Sequence, residues 1–176
     1  MSPLYHLARP EDAARLRQEG FAATPHTIQA WAAGVYLATD EQTAVLYERL
    51  DPARERIVVT VAVLNPFVVA VPAGASDSIK VMRAAIAARY GEEAAQGLDR
   101  ETLRRERRSL ADAVTLILGA HGHDALCVEM GEVAAEDQRS ITVGGNQLIV
   151  FDPARVHVAA LEPAPARAGE PELDGW

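Results

Sequence analysis

The sequence predicts an α+β fold: two packed antiparallel β-sheets with helices around them and a helical insert in the middle of the chain. Short runs rich in β-branched residues lie towards both ends of the chain. Between them, apolar residues recur every three or four positions, which indicates helices. Strands and helices do not alternate regularly, so the pattern does not favour a parallel α/β sheet.

The chain is long enough for one well-buried core. Its 176 residues are few for two cores of usual size, so we expect residues 1–161 to form a single domain. Residues 162–176 are mainly Pro, Ala, Glu and Gly. Because such residues bury too little apolar surface to offset the entropy lost on ordering, we expect a flexible C-terminal tail.

Each predicted element is marked by its apolar spacing and by the residues at its ends. Pro10 suits the first turn of a helix and Gly20 suits its end, while Thr39 or Asp40 suits a helix cap. β-branched residues indicate the strands. The predicted strands are residues 3–6, 35–38, 56–64, 67–71, 124–130, 147–151 and about 156–158, and the predicted helices are residues 9–19, 26–33, 41–50, 76–90 and 99–118.

Composition excludes several classes of protein. A net charge of −8 and a pI near 5.1 argue against a protein that coats nucleic acid by neutralising phosphates. The apolar stretch at 57–75 is cut by Asn65 and Pro66, so we interpret it as two buried strands and expect no membrane partner. The first residues contain no apolar run of signal-peptide length, which favours a cytoplasmic location. Cys127 has no cysteine partner and is interpreted as a small apolar strand residue.

Four polar or aromatic residues stand out near predicted strand ends. His6 closes the first strand, Tyr36 follows Gly34, Tyr47 lies eleven residues later on a capped helix, and Gln147 opens a late strand. Two tyrosines so placed could sandwich a flat ring, because aromatic rings stack on one another. The alternative that each tyrosine is ordinary half-buried core stays open.

Taken in order, these motifs resemble those of ADP-ribosyltransferases of the diphtheria-toxin and poly(ADP-ribose)-polymerase type. The resemblance rests on Tyr5-His6, on Gly34-Val-Tyr-Leu-Ala38 followed by Tyr47, and on Asn146-Gln-Leu-Ile-Val-Phe-Asp152. Gly122-His-Asp-Ala125 is similar to a Gly-Tyr-Asp-Gly element of small bacterial members. The resemblance spans roughly residues 4–158 and implies that family's split pair of antiparallel sheets.

The resemblance also implies an activity and a role for each residue. The chain would be an NAD-dependent mono-ADP-ribosyltransferase or NAD glycohydrolase, such as a bacterial toxin or effector, with NAD as substrate and no metal. His6 would bind the adenosine ribose, Leu7 would hold the nicotinamide carboxamide through its backbone, and Tyr36 and Tyr47 would flank the nicotinamide. Gln147, Tyr36 and His6 would form the catalytic set. The partners implied are an unidentified ADP-ribose acceptor and, for a toxin, a cognate inhibitor or antitoxin.

Two positions depart from the family pattern. Leu7 stands where the family usually has Gly, so a side chain must be accommodated beside the ligand. Gln147 stands where the family has its catalytic Glu. An amide can keep the hydrogen bond to a ribose hydroxyl, but it supplies neither charge nor basicity. Polymer elongation is therefore not expected. The acidic residues nearby in sequence that could replace the Glu are Glu129, Glu132, Glu136 and Asp137.

Other functions stay open. The main alternative is a weakly active or inactive module on the same fold that binds NAD, a nucleotide or a protein partner. An RNA 2′-phosphotransferase would need an Arg and His set that the sequence does not show. His121, His123 and Asp124 invite a metal site, but we interpret them as a turn after a helix. The basic run Arg100, Arg104, Arg105, Arg107 and Arg108 is interpreted as a solvated helix face, with docking of an acidic partner or of a phosphate-bearing target such as nucleic acid as the less favoured alternative.

Overall fold

The computed structural model describes residues 3–22, 31–50, 52–62, 64–75, 77–130 and 145–161. These residues form seven strands and six α-helices. The strands are β1 (Leu4–Ala8), β2 (Val35–Ala38), β3 (Glu55–Val61), β4 (Pro66–Ala70), β5 (Ala125–Glu129), β6 (Gln147–Val150) and β7 (Val156–Leu161). The helices are α1 (Pro10–Glu19), α2 (Glu41–Leu50), α3 (Ser78–Tyr90), α4 (Glu92–Ala95), α5 (Arg100–Glu106) and α6 (Leu110–Ala120).

The strands form one mixed sheet, in the order β4-β5-β6-β2-β1-β3-β7. β4 and β5 are parallel, and the other neighbours are antiparallel. The α+β class is therefore confirmed, but the structure shows no split pair of sheets. β1 joins β4-β5-β6-β2 on one side to β3-β7 on the other. It pairs with β3 along all five of its residues and with β2 through Tyr5 opposite Ala38. That β1–β2 ladder is the shortest between the described strands.

The two sides of the sheet carry separate hydrophobic clusters. We call the side that bears Leu126 and Ile149 face A. There, α3, α5 and α6 cover β4, β5, β6 and β2 with buried residues such as Met82 and Leu118. We call the opposite side, which bears Leu37, face B. The face B cluster includes Ala8, Ala13, Val35, Ile57, Val59 and Val150, with α1 contributing Ala13. The core therefore lies on both sides of the sheet.

Helix α2 covers the part of face A that α3, α5 and α6 leave uncovered, over β1 and β2. Its Ala44 is fully buried and packs with Tyr5 and Ala38 of β1 and β2. The helix begins directly after β2, where the Asp40 carboxylate accepts a hydrogen bond of 2.7 Å from the Thr43 backbone N–H. The capped helix predicted at residues 41–50 is confirmed.

The long helix predicted at 99–118 is wrong, because the chain forms two helices there. Asp99 caps α5 through the Thr102 N–H at 2.8 Å, and Ser109 caps α6 through the Asp112 N–H at 3.1 Å. Between them, Arg107 has φ of 52°, a left-handed conformation that ends α5. A second strong cap within the predicted helix is the physical reason for the break. The arginines of the basic run are exposed, as expected.

The remaining predicted elements agree with the structure to within a few residues where it describes them. α4 was not predicted. The apolar stretch 57–75 contains β3 and β4, which confirms two strands, and none of the helices within the described ranges is long and apolar enough to cross a membrane. Most of the helix predicted at 26–33 and the whole tail 162–176 lie outside the described residues.

Candidate functional site

The three strands that carry the motifs are neighbours in the sheet, in the order β6-β2-β1. Gln147 lies opposite Ala38, and Ile149 lies opposite Tyr36. Because side chains alternate along a strand, Tyr36 and Gln147 both belong to face A. They are diagonal neighbours, a relation that places Cα atoms about 7–8 Å apart. Residues 111 positions apart in sequence thus meet on one side of the sheet.

The side chain of His6 belongs to face B. His6 lies opposite Ile57, a residue of the face B cluster. Its ring meets Phe21 edge to face, with ring centroids 5.0 Å apart. However, His6 Nδ1 lies 3.2 Å from the backbone oxygen of Tyr36. The structure therefore brings His6 to the backbone of Tyr36, while the two side chains point to opposite faces.

This contact lies where the β1–β2 ladder ends. Thr39 N–H donates to the Asn146 oxygen at 3.1 Å, so the backbone groups of Ala38 and Tyr36 point the other way, towards β1. Ala38 pairs with Tyr5 there. The next facing pair would be Leu7 and Tyr36, but the ladder does not reach it. In its place, the His6 imidazole reaches the Tyr36 oxygen. Leu7, the predicted backbone contact for a carboxamide, thus lies just beyond the last β1–β2 pair.

Burial keeps His6 in its neutral form near pH 7. Burial is the main cause that lowers its pKa, the hydrogen bond to Tyr36 opposes the shift, and the positive charge of Arg54 adds to it. The imidazole is therefore neutral near pH 7. Because a carbonyl oxygen can only accept, Nδ1 carries the proton and donates to Tyr36. Nε2 is left as a hydrogen-bond acceptor.

Tyr36 is fixed by its hydroxyl. The O–H donates to the Ala32 oxygen at 2.8 Å and accepts from the N–H groups of Trp31 and Ala32 at 3.1 Å and 3.3 Å. Trp31 itself is fully buried. The ring is half-buried, so it can offer an aromatic surface but not a free hydroxyl. Tyr47 lies in α2, one turn after Thr43; its side chain is outside the described part of the structure.

Gln147 is almost completely buried, with 4% of its surface exposed. Its neighbours across the sheet are Val128 and Ala38. An ionised carboxylate at this position would lose most of its hydration, whereas an uncharged amide loses much less. Burial thus favours the amide over the acid of the family motif. A ligand can therefore contact this amide only if a neighbouring side chain moves aside.

A polar network that the sequence did not reveal fixes the start of β6. The amide of Asn146 donates to Asp40 at 2.9 Å and accepts from the Met130 N–H at 2.9 Å. Its own N–H donates to the Thr43 hydroxyl at 2.9 Å. A Cβ on Gly145, whose φ is 85°, would lie 2.5 Å from the Thr43 side chain, so only glycine fits there. The network links β6, α2 and the end of β5, and positions the residue before Gln147.

A buried arginine lies beside this region and was also missed. Arg56 of β3 is opposite Leu7 and only 3% exposed. Its guanidinium pairs with Glu48 through two nitrogens and with Glu41 at 3.2 Å. It also lies over the ring of Tyr5, 5.7 Å from the centroid. The hydrogen bond to Glu48 is the main cause that raises the pKa of Arg56. This cluster attaches α2 to β1 and β3.

The acidic residues proposed as substitutes for the family Glu are not seen beside Gln147. Glu129 is exposed, and because its neighbour Val128 faces Gln147, Glu129 belongs to face B. The other three lie outside the described residues. Glu129, Cys127, Thr39 and Asn146 line an open depression of about 600 Å³. Burial, followed by the charge of Glu129, raises the pKa of the Cys127 thiol.

The two histidines after α6 belong to an aromatic cluster. His121 stacks on Tyr90 with ring centroids 3.9 Å apart. His123 contacts the Tyr90 hydroxyl through Nε2 and the Asn65 oxygen through Nδ1, at 3.0 Å. The turn predicted here is therefore held to β4 and α3.

Comparison with protein-family models, curated proteins and solved structures finds no match to this chain.

Proposed function

We propose that this protein binds NAD where β6, β2 and β1 meet, and that it is a mono-ADP-ribosyltransferase or NAD glycohydrolase. The observation that carries the proposal is the convergence of three positions that are distant in sequence. Tyr36 and Gln147 are diagonal neighbours on face A, and His6 is bonded to the Tyr36 backbone. These are the positions to which the resemblance to diphtheria-toxin-type and poly(ADP-ribose)-polymerase-type ADP-ribosyltransferases gives roles.

The ladder end defines how NAD would lie. The nicotinamide would stack on the Tyr36 ring, which is rigidly held by its hydroxyl. The carboxamide would meet the backbone of Leu7, beyond the last β1–β2 pair. His6 is on the other face, so one dinucleotide contacts both residues only if it crosses the sheet at this point. There, neutral His6 would accept a hydrogen bond from a ribose hydroxyl through Nε2.

The uncharged Gln147 determines what chemistry the site could perform. Breaking the bond between nicotinamide and ribose builds positive charge on the ribose, as in glycoside hydrolysis. Gln147 could hold a ribose hydroxyl but could not oppose that charge. Loss of such a base or charge costs about 10²- to 10⁴-fold in rate. We therefore expect slow transfer of a single ADP-ribose to a good nucleophile, or slow hydrolysis.

A second candidate is a module on the same fold that binds NAD or a nucleotide without catalysis. It is favoured by the burial of Gln147 and by the position of Glu129 on face B. The two candidates differ in one observable: only the enzyme releases nicotinamide from NAD.

The test compares nicotinamide release by the native protein, by Gln147→Glu and by Gln147→Met. The Glu variant restores the carboxyl group of the family motif, which the positive charge developing on the ribose would keep ionised despite its burial. The Met variant keeps the size of the side chain without its hydrogen bonds. For an enzyme, we expect Gln147→Glu to raise the rate at least about tenfold and Gln147→Met to lower it. Thermal unfolding of each variant must show that it is folded. A folded Gln147→Glu variant that binds NAD but releases none would refute the catalytic role of β6.

A further inference from the structure

β4 is the first strand of the described sheet, and its outer backbone groups face no strand among the described residues. Its only described neighbour is β5. Val71 N–H donates to the Glu129 oxygen of β5 at 2.8 Å, so Val69 and Phe67 also point their backbone groups towards β5. The backbone groups of Val68 and Ala70, and the Pro66 oxygen, therefore point outwards.

This edge has few of the features that usually prevent strand addition, and Pro66 at its first position is the one in its sequence. Its sequence is Pro-Phe-Val-Val-Ala, without a charged residue. Its register with β5 contains no bulge. Val68 is 54% exposed and adds an apolar side chain to this edge. Natural edge strands are normally protected by charged side chains, bulges or prolines, and in β4 residues 67–70 carry none of these. Within the described part of the chain, this regular, apolar edge is therefore suited to pairing with a further strand.

A groove runs beside this edge, between β4 and α3. It has a volume of about 460 Å³ and is lined by all of β4 and by Ala85, Ala88, Arg89 and His123. The two alanines are one turn apart on α3, so they leave room for a side chain that enters the groove. Tyr90 packs near Phe67, with ring centroids 6.0 Å apart, so the adjacent Arg89 lies near the start of β4.

We propose that this groove binds an extended, acidic peptide segment of a partner protein as an added antiparallel strand. One peptide residue would pair with both the N–H and the C=O of Val68. The following residues run towards the start of β4, where a carboxylate would meet the Arg89 guanidinium. The proposal does not depend on the NAD site, because β5 lies between β4 and β6, the nearest strand of that site, and the two sites share no residue.

Charge favours an acidic partner over a second copy of this chain. α3 carries Lys80, Arg83 and Arg89 and has no acidic residue. Pairing of two β4 edges about a twofold axis would bring two such helices towards each other across the new strand pair. Like charges disfavour that arrangement. A peptide carboxylate would instead complement them.

The experiment uses the full chain and two fluorescein-labelled peptides, Thr-Val-Thr-Val-Asp with a free C-terminus and Thr-Val-Thr-Val-Lys as an amide. Fluorescence anisotropy measures their binding. We expect the native protein to bind the Asp peptide roughly fivefold more tightly than the Lys peptide. Arg89→Glu should reverse this preference. The matched control is Arg83→Glu, which makes the same charge change on α3 but outside the groove, beside Glu92, and should weaken the preference much less without reversing it.

A backbone variant tests the strand pairing itself. Val68→Pro removes an outward N–H and keeps the bonds to β5, so the variant should fold. Its affinity for the Asp peptide should be about tenfold lower or more. Three results would overturn the proposal: neither peptide binds, Arg89→Glu and Arg83→Glu have equal effects, or Val68→Pro binds normally. Concentration-dependent dimerisation that Val68→Pro abolishes, without peptide binding, would assign the edge to a second copy instead.

Discussion

Replacing Gly34 with alanine tests the contact between β2 and β6 that brings Tyr36 next to Gln147. A Cβ at Gly34 would lie 2.3 Å from the carbonyl oxygen of Val150 and 3.0 Å from the Ile149 side chain. Ordinary contact begins at 3.4 Å, so the two strands would have to separate by about 1 Å. The obstacle is backbone, which cannot rotate away as a side chain could.

The cost follows from two effects. Gly34 has φ of +156°, a conformation that other residues rarely adopt, and such strain costs about 1–3 kcal/mol. Separation of the strands also weakens ladder hydrogen bonds, at about 0.5–1.5 kcal/mol each. We therefore expect Gly34→Ala to lower the free energy of unfolding by about 3–5 kcal/mol. For a chain of this length that lowers Tm by about 6–20 °C.

Chemical and thermal unfolding, followed by circular dichroism, measure this effect. The matched control is Gly119→Ala in α6, where an added Cβ meets nothing within 4 Å. The same substitution there should stabilise the protein by about 0.5–1 kcal/mol, because alanine favours the helix. If Gly34→Ala costs less than about 1 kcal/mol, β2 and β6 are not packed as described, and the pairing of Tyr36 with Gln147 is wrong.

Three further predictions concern His6, the Arg56 cluster and the Asn146 network. Because burial lowers the native pKa of His6 below 6.5, the unfolded state binds more protons in the window beneath that value. The free energy of unfolding should not depend on His6 above pH 6.5, and it should fall by up to about 1.4 kcal/mol per pH unit as the pH drops towards the native pKa of His6. Urea unfolding from pH 7.5 to 5 should show this slope in the native protein and not in His6→Gln. Glu48→Gln should cost about 1–3 kcal/mol, since it weakens the pairing of a buried guanidinium, while Glu41→Gln, at a carboxylate side chain that is 71% exposed, should cost less than about 1 kcal/mol; equal costs in urea unfolding would contradict this. Asn146→Ala should cost about 1–3 kcal/mol by the same measurement, because it leaves the Met130 N–H and Asp40 without the amide, and a neutral result would mean that the network does not hold β6.

Elements with strong local signals could be predicted from the sequence. β3 and β4 follow from their β-branched residues, and α2 follows from the Asp40 cap. The break between α5 and α6 also has a local signal, the Ser109 cap. The prediction of one long helix gave more weight to the apolar spacing through residues 103–117, whereas in the structure the cap begins a new helix. Local signals compete, and spacing alone does not show which one determines the structure.

The pairing of strands could not be predicted in the same way. In β1, apolar residues stand at both odd and even positions, as Leu4, Tyr5, Leu7 and Ala8 show. Such a strand is half-buried on both faces, so its sequence does not reveal which face His6 occupies. Nor does it reveal that β1 pairs with strands on both sides and thereby joins two expected sheets into one.

The residues around the candidate site depended on long-range contacts for the same reason. Buried Arg56 is paired with Glu48 and Glu41 of α2, and nothing in its own strand indicates this. The Asn146 network joins residues more than a hundred positions apart. By contrast, Tyr36 and Gln147 stood out in the sequence because each lies two residues after a glycine near a strand start, and the structure places them as diagonal neighbours. That they bind a ligand stays a prediction.

Calorimetric titration of NAD into the native protein, Tyr36→Phe and Tyr36→Ala tests the central claim most directly. Tyr36→Phe keeps the ring and removes the hydroxyl, so it controls for the loss of the bonds to Ala32. The native protein and Tyr36→Phe should bind with similar affinity, and Tyr36→Ala should bind about tenfold or more weakly, since a stacked ring is worth roughly 1–3 kcal/mol. Absence of binding heat in the native protein, or an unchanged affinity in a folded Tyr36→Ala variant, would contradict the claim.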